Sequence, residues 1–222
     1  MGLTIIIPTL NEENNLSELL LGLNSLKQVQ VIVSDGGSSD NTQKIAMLHG
    51  AKLVCGALGR GQQLNLGAEA AKTEILLFLH ADSRIKFDLL AEIIEVVHQG
   101  ALWGCAKIAF DRDSTFYRCL AWSSNWRARV LSSCYGDQGI FCVKDFFDQI
   151  GGFSPWPLFE DVDFSHRARK IRKAYVLNNT VLSSSRRFEK QGRLRTWLIM
   201  QKLKLLYFTG TSPDKLAAIY RR

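Results

Sequence analysis

Apolar positions alternate between two rhythms over the first hundred residues. Leu3–Ile7 is a short β-branched run closed by Pro8, which predicts a buried strand. From Asn14 onward, Leu16, Leu19, Leu20, Leu23 and Leu26 recur at helical spacing. Val29–Val33, Lys52–Cys55 and Ile75–Leu79 predict further strands. Between and after them, helices are predicted over Thr42–His49, over Gln62–Ala71, and along Leu89, Leu90, Ile93, Ile94 and Val97. Strand alternating with helix predicts an α/β fold: a mostly parallel central sheet with helices on both faces. The strands read as unbroken apolar runs, as expected when both faces of a sheet are covered.

After Gly100 the rhythm loosens. Trp103–Phe110, Ile140–Val143, Ala174–Leu177 and Val181–Ser185 read as strands. Phe116–Leu131, Lys144–Ile150, Val162–Lys170, Leu194–Phe208 and Asp214–Tyr220 read as helices. No repeat, low-complexity tract or linker interrupts the 222 residues, of which 46% are hydrophobic. One domain is expected, with residues 1–100 and 101–193 as its two halves and C-terminal helices over 194–222.

Charge narrows the choice of partner. A formal net charge of +7 favours something anionic: a phosphorylated small molecule, a membrane surface or nucleic acid. The cations are dispersed and match no nucleic-acid recognition motif, so that reading is the weakest. Five cysteines without a CxxC pair argue against a zinc cluster or disulfide framework, and for a reducing compartment. No signal peptide, myristoylation motif or apolar run long enough to span a bilayer is evident. A cytoplasmic protein is expected, one that can sit at the inner face of the cell membrane. The Leu194–Phe208 helix sets apolar Leu194, Trp197, Leu198, Leu205 and Phe208 among basic residues. It either packs on the core, lies on a membrane surface or forms an oligomer interface.

Parallel sheets bind ligands beyond the C-terminal ends of their strands. That rule selects Thr9–Glu12, Asp35–Asp40, Gly56–Gly61 and His80–Asp82, where polar residues and glycines concentrate. In DGGSSD, Asp35 leaves the strand end with its carboxylate free for a ligand, and Asp40 caps the next helix. GRGQQLNLG lacks the third glycine of a dinucleotide fingerprint, so a Rossmann cofactor is rejected. Arg60 remains a phosphate ligand. Asn65 is either a helix-face polar residue or a further contact. His80 and Asp82, two apart on an extended segment, can share one ligand, and an Asp with a diphosphate suits Mg²⁺ or Mn²⁺. Asp137 and Gln138 of GDQG either face a substrate or only form a turn. Arg187, beside Arg186, either meets phosphate or is solvated. EDVDF, Glu160 to Phe164, puts acids at a helix start, where they complement the dipole or take a proton from a substrate.

Taken in order, Pro-Thr followed by NE, SDGGSSD, GRGQQLNLG, FLHADS and GGFSPWPLFEDVDFSHRAR resemble the family-2 glycosyltransferases of GT-A fold. The likeness spans roughly the first 170 residues and extends to compact bacterial members with His-Ala-Asp and Gly-Asp-Gln motifs. It implies a nucleotide-sugar site containing Pro8, Thr9, Glu12, Asp35, Arg60, Asn65 and Asp82. Thr9 and Glu12 would lie beside ribose and base, Asp35 would read the base edge, and Arg60 would steady the nucleotide. Asp82 would be the metal-binding aspartate and Asp161 the general base. Asp137, Gln138, Glu160 and Arg187 are further candidates for donor or acceptor contact. His80 stands where the family usually has Asp, which leaves one carboxylate for the cation. The implied activity is inverting transfer of a sugar from a nucleoside-diphosphate sugar to a hydroxyl acceptor, such as a lipid or lipid-phosphate. A sugar nucleotidyltransferase is the competing enzyme, but its glycine-rich first loop is replaced by acidic TLNEEN. A nucleotide-sugar or membrane-surface binding protein without turnover is the non-enzymatic alternative.

Overall fold

The computed structural model describes residues 1–23, 29–56 and 58–220. Leu26 and Ala57, which belong to an expected helix and an expected ligand loop, lie outside the described residues. The first half runs β1 (Leu3–Thr9), α1 (Glu13–Leu23), β2 (Val29–Asp35), α2 (Thr42–Leu48), β3 (Lys52–Cys55), α3 (Arg60–Ala70), β4 (Ile75–Phe78) and α4 (Phe87–His98). The second runs β5 (Trp103–Phe110), α5 (Thr115–Leu131), a 3₁₀ turn (Gly136–Gln138), β6 (Ile140–Val143), α6 (Lys144–Ile150), α7 (Glu160–Ile171) and β7 (Tyr175–Ser183). Three helices end the chain: α8 (Arg186–Gln191), α9 (Arg193–Phe208) and α10 (Pro213–Tyr220).

The strands form one seven-stranded sheet in the order β3-β2-β1-β4-β6-β5-β7. Pairs β1–β2, β1–β4, β2–β3 and β5–β7 are parallel, and β6 is antiparallel to both of its neighbours. The mostly parallel sheet is therefore as expected.

Alternation along β1 divides its residues between two cores. Leu3, Ile5 and Ile7 pack with α1 and α4, while Ile6 faces α3, α6 and α7. The second core holds a cluster of Phe78, Phe147, Phe153 and Phe164, with ring centroids 4.6–5.8 Å apart where they meet. Each such pair adds roughly 1 kcal/mol beyond the area it buries. Phe164 of the cluster belongs to α7, so the cluster anchors the helix whose first turn carries Glu160 and Asp161.

Two expected C-terminal strands are one. Polar Asn178-Asn179-Thr180 suggested a break, but β7 bulges there, between the pairs Cys105–Val176 and Lys107–Thr180. The N–H groups freed by the bulge, of Asn178 and Asn179, donate to Glu92 at 2.6 and 2.9 Å. A carboxylate from α4 thus replaces the missing ladder partners. Helix α8 begins at Arg186, where the sequence suggested only a strand end with a pair of cations.

Candidate active site

The parallel strands β1, β2, β3 and β4 align their C-terminal ends, and the loops leaving β1, β3 and β4 form one wall of a cavity of about 510 Å³; the loop after β2 does not line it. Pro8, Thr9, Glu12, Arg60, His80, Asp82, Asp137, Asp161 and Arg187 all line it. The strand-end rule thus brings most of the expected site together.

Asp35 departs from expectation. Its carboxylate is buried and accepts from five donors: the N–H groups of Gly37 and Ser38, the hydroxyls of Ser38 and Thr9, and the Gln43 amide. It is the hub of the DGGSSD loop, not a free carboxylate. Burial alone would raise its pKa, but the donors outweigh burial and hold it below the usual range. Asp40 accepts from the Thr42 and Glu13 N–H groups, so it ties the starts of α1 and α2 together. Gln63 of α3 donates to the carbonyls of Thr9 and Ser34 and stitches β1 to β2.

The glycines of GRGQQLNLG serve packing. A Cβ at Gly67 would run into Ile6, and one at Gly61 would collide with the Ser154 carbonyl oxygen. Their absence lets α3 lie against β1 and against the loop before α7. Asn65 is spent on that loop: its amide donates to the Phe153 carbonyl at 2.8 Å and accepts the Phe153 N–H at 2.9 Å. It does not line the cavity.

EDVDF assigns a different task to each acid. Phe159 caps α7 in the left-handed region at φ 66°, a strain of about 1–2 kcal/mol for a non-glycine residue. Glu160 is 1% exposed, and its Oε1 lies 3.5 Å from Arg60 while Oε2 has no hydrogen-bond partner among the described residues. Burial pushes Glu160 up to about 7, partly countered by Arg60. Asp163 accepts from Ser154 and Arg167, and Arg167 also donates to the Ile150 and Gly152 carbonyls, which makes that acid structural. Asp161 alone faces the cavity with capacity to spare. Its Oδ2 accepts the Gly136 N–H and its Oδ1 the Val162 N–H, each at 2.7 Å. A carboxylate has about four lone-pair positions, so two remain for a substrate.

His80 packs against the same Gly136, where a Cβ would stand 2.7 Å from Nε2. Burial, reinforced by the charge of Arg60, pushes His80 down to about 3, so its ring is neutral. Burial raises Asp82, with Arg186 and Arg60 pulling it back. It likewise raises Asp137, against Arg127. Gln138 faces inward, where its side-chain oxygen accepts from Arg127 at 2.8 Å. Arg187 is stacked on Tyr220, 3.6 Å from the ring centroid, at the cavity edge.

Sequence reasoning missed a second wall. Tyr135, Met200, Leu203, Lys204 and Tyr220 also line the cavity, beside Arg186, which the sequence had already paired with Arg187 as a candidate for phosphate. Leu203 packs with Leu158, Leu216 and Ala217 in a third core, which seats α9 and α10 over the loop before α7. That seating carries Lys204 to 5.1 Å above the Tyr135 ring, whose centroid lies 3.3 Å from the Arg127 guanidinium. Burial lowers Lys204 to about 8, helped by Arg127 and opposed by Asp137 and Asp161. A lysine on an apolar helix does not by itself say what that lysine faces. Among the described residues, no group of three or more His, Cys, Asp or Glu is placed to hold a metal ion.

Comparisons with known proteins agree with this architecture. The family model described as Glycosyl transferase family 2 matches residues 4–146. Over 101 residues the chain is 30% identical to an uncharacterised glycosyltransferase of Mycobacterium bovis, covering 45% of each protein. Over 102 residues it is 33% identical to the 4,4'-diaponeurosporenoate glycosyltransferase of Staphylococcus haemolyticus, covering 42% of this chain and 27% of that one. The match thus spans less than half the length of these curated relatives. Among solved structures, the mannosyltransferase PcManGT of Pyrobaculum calidifontis, in complex with GDP-Man and Mn²⁺, superposes with a TM-score of 0.67 at 19% identity. It covers 98% of this chain and 67% of that one. S. aureus TarS in complex with UDP-GlcNAc gives 0.66 at 19% identity, covering 83% and 58%. These likenesses show the fold.

Proposed function

The chain belongs to glycosyl transferase family 2, and from that premise we propose that it moves a sugar from a nucleoside-diphosphate donor to a hydroxyl acceptor with inversion. The observation that carries the proposal is Asp161, held by two backbone N–H groups and open to the cavity. Residues 1–100 supply the donor side and residues 101–193 the acceptor side, with the helices of 194–222 closing over both. Asp161 takes the acceptor's proton as its oxygen attacks the anomeric carbon. The bond to the diphosphate breaks as the new one forms, and the leaving group departs with the electron pair on the opposite face. Arg60, Arg186 and Arg187 line the cavity and offset that charge.

Asp35 contributes to donor binding by fixing the loop shape; to read a base edge it would have to exchange one of its five donors. Glu160 positions Arg60. The residues fit a divalent cation shared with the donor, with Asp82 as the carboxylate ligand and His80 as a neutral neighbour, since Mg²⁺ is commonly held by one or two carboxylates plus substrate phosphates. When bound, such an ion would neutralise the diphosphate. The Mn²⁺ complexes of similar fold support that reading. A lipid-like acceptor, and a place at the cytoplasmic face of a membrane, complete the proposal; the diaponeurosporenoate glycosyltransferase relative supports the former. A thermal-shift panel of nucleotide sugars, with and without Mn²⁺, tests donor binding. A specific donor should raise Tm in proportion to the logarithm of its concentration. Failure of every nucleoside-diphosphate sugar to shift Tm would overturn the proposal.

A further inference from the structure

Two neighbouring helices present apolar residues outward. On α5, Trp122 is 69% and Trp126 51% exposed. At about 100° per residue, Cys119, Trp122, Trp126 and Val130 form one stripe opposite the buried Ala128. On α9, Leu194, Leu198, Leu205 and Phe208 are exposed, opposite the buried Thr196 and Leu203, and Trp197 borders them.

Side chains bridge the two helices at both ends. The Arg193 guanidinium at the start of α9 sits 5.3 Å over the Tyr117 ring near the start of α5. Further along, Lys204 and Arg127 share the Tyr135 ring. Arg193 and Lys204 leave one flank of α9, and Arg127 leaves the facing flank of α5. At about 100° per residue, these bridging flanks lie to one side of each stripe and the buried residues opposite it, which turns the two apolar stripes outward together. Exposed cations edge the outer flanks: Arg118 and Arg129 on α5, Arg195 and Lys202 on α9.

We infer that this two-helix face docks the protein on a bilayer with anionic headgroups. Tryptophans set in an apolar strip suit the headgroup boundary, where an aromatic ring can bury its body and keep its N–H wet. Cations at both edges match lipid phosphates on either side of the strip, with their stems lying along apolar surface. A second copy of this chain would be a poorer occupant, because two-fold apposition would bring like-charged edges together. Among the described residues no helix is long and apolar enough to cross a membrane, so the face lies on the bilayer. The inference deepens the membrane placement in the proposed function by naming the face that docks, and it rests on that function in that a lipid-borne acceptor would give docking a purpose.

Co-sedimentation with phosphatidylcholine vesicles, with and without phosphatidylglycerol, tests the inference, using the whole chain and no donor. Binding should require phosphatidylglycerol, weaken with salt and blue-shift tryptophan emission. Trp122→Ser/Trp126→Ser should weaken partitioning by about tenfold or more. Arg118→Glu/Arg129→Glu, which leaves the apolar stripe intact, should weaken it as well. Absence of binding to anionic vesicles at low salt would overturn the inference, as would undiminished binding by both variants. So would a dimer on sizing columns that the tryptophan variant abolishes while vesicle binding persists. Asp161→Asn should bind vesicles like the unaltered protein, so failure of the transfer reading and failure of the docking reading are separable.

Discussion

The substitution Glu160→Gln isolates one buried charge. The amide is nearly isosteric, and its oxygen still accepts from Arg60. In the folded protein Glu160 is raised to about 7 from an ordinary value of 4.5, chiefly by burial at 1% exposure. A carboxyl with a raised pKa binds its proton more tightly folded than unfolded. Its stabilising contribution is therefore complete below the unfolded value and is lost as pH rises from 4.5 towards 7. At about 1.4 kcal/mol per pH unit, that interval is worth roughly 3 kcal/mol. The amide of the variant does not titrate and carries no such dependence. Urea denaturation of both proteins from about pH 5 to about pH 8 gives the difference, because titrating groups that do not interact with Glu160 cancel. The stability of the unaltered protein relative to Glu160→Gln should fall by roughly 3 kcal/mol across the range. Parallel curves would refute the reasoning and mean that Glu160 is ionised and adequately paired throughout.

Further predictions concern packing and the cation. Gly61→Ala should cost about 1–3 kcal/mol, because the new Cβ meets the Ser154 carbonyl oxygen and backbone yields poorly. Gly22→Ala, on α1, where a new Cβ would meet nothing within 4 Å among the described residues, should be neutral or slightly stabilising; thermal melts of the two compare them. Exhaustive chelation should lower transfer and added Mn²⁺ restore it. Asp82→Asn should blunt that restoration, whereas full turnover after chelation would remove Asp82 from the role of cation ligand.

Much of the architecture was legible because strands covered on both faces are written as unbroken apolar runs. Ile5, Ile6, Ile7, Leu76 and Leu77 are all fully buried. The site's first wall followed from topology, since parallel strands align their C-terminal ends. The residues left open or read as free were polar side chains whose partners the fold supplies. Asn65 and Gln138 look like ligand contacts until Phe153 and Arg127 claim their amides. Asp35 reads as free until Ser38, Gln43 and Thr9 converge on it. The second wall was illegible for the converse reason. Lys204 reaches the cavity only because Leu203, Leu216 and Leu158 seat α9 there, and no local pattern records that contact.

The central claim is that Asp161 removes the acceptor proton. The most direct measurement pairs donor binding with transfer rate in Asp161→Asn. Its amide can still accept the Gly136 and Val162 N–H groups through its oxygen, so the loop should hold its shape. The account predicts unchanged nucleotide-sugar affinity and a rate lowered on the order of a thousandfold. Transfer at the unaltered rate by a correctly folded Asp161→Asn protein would contradict it.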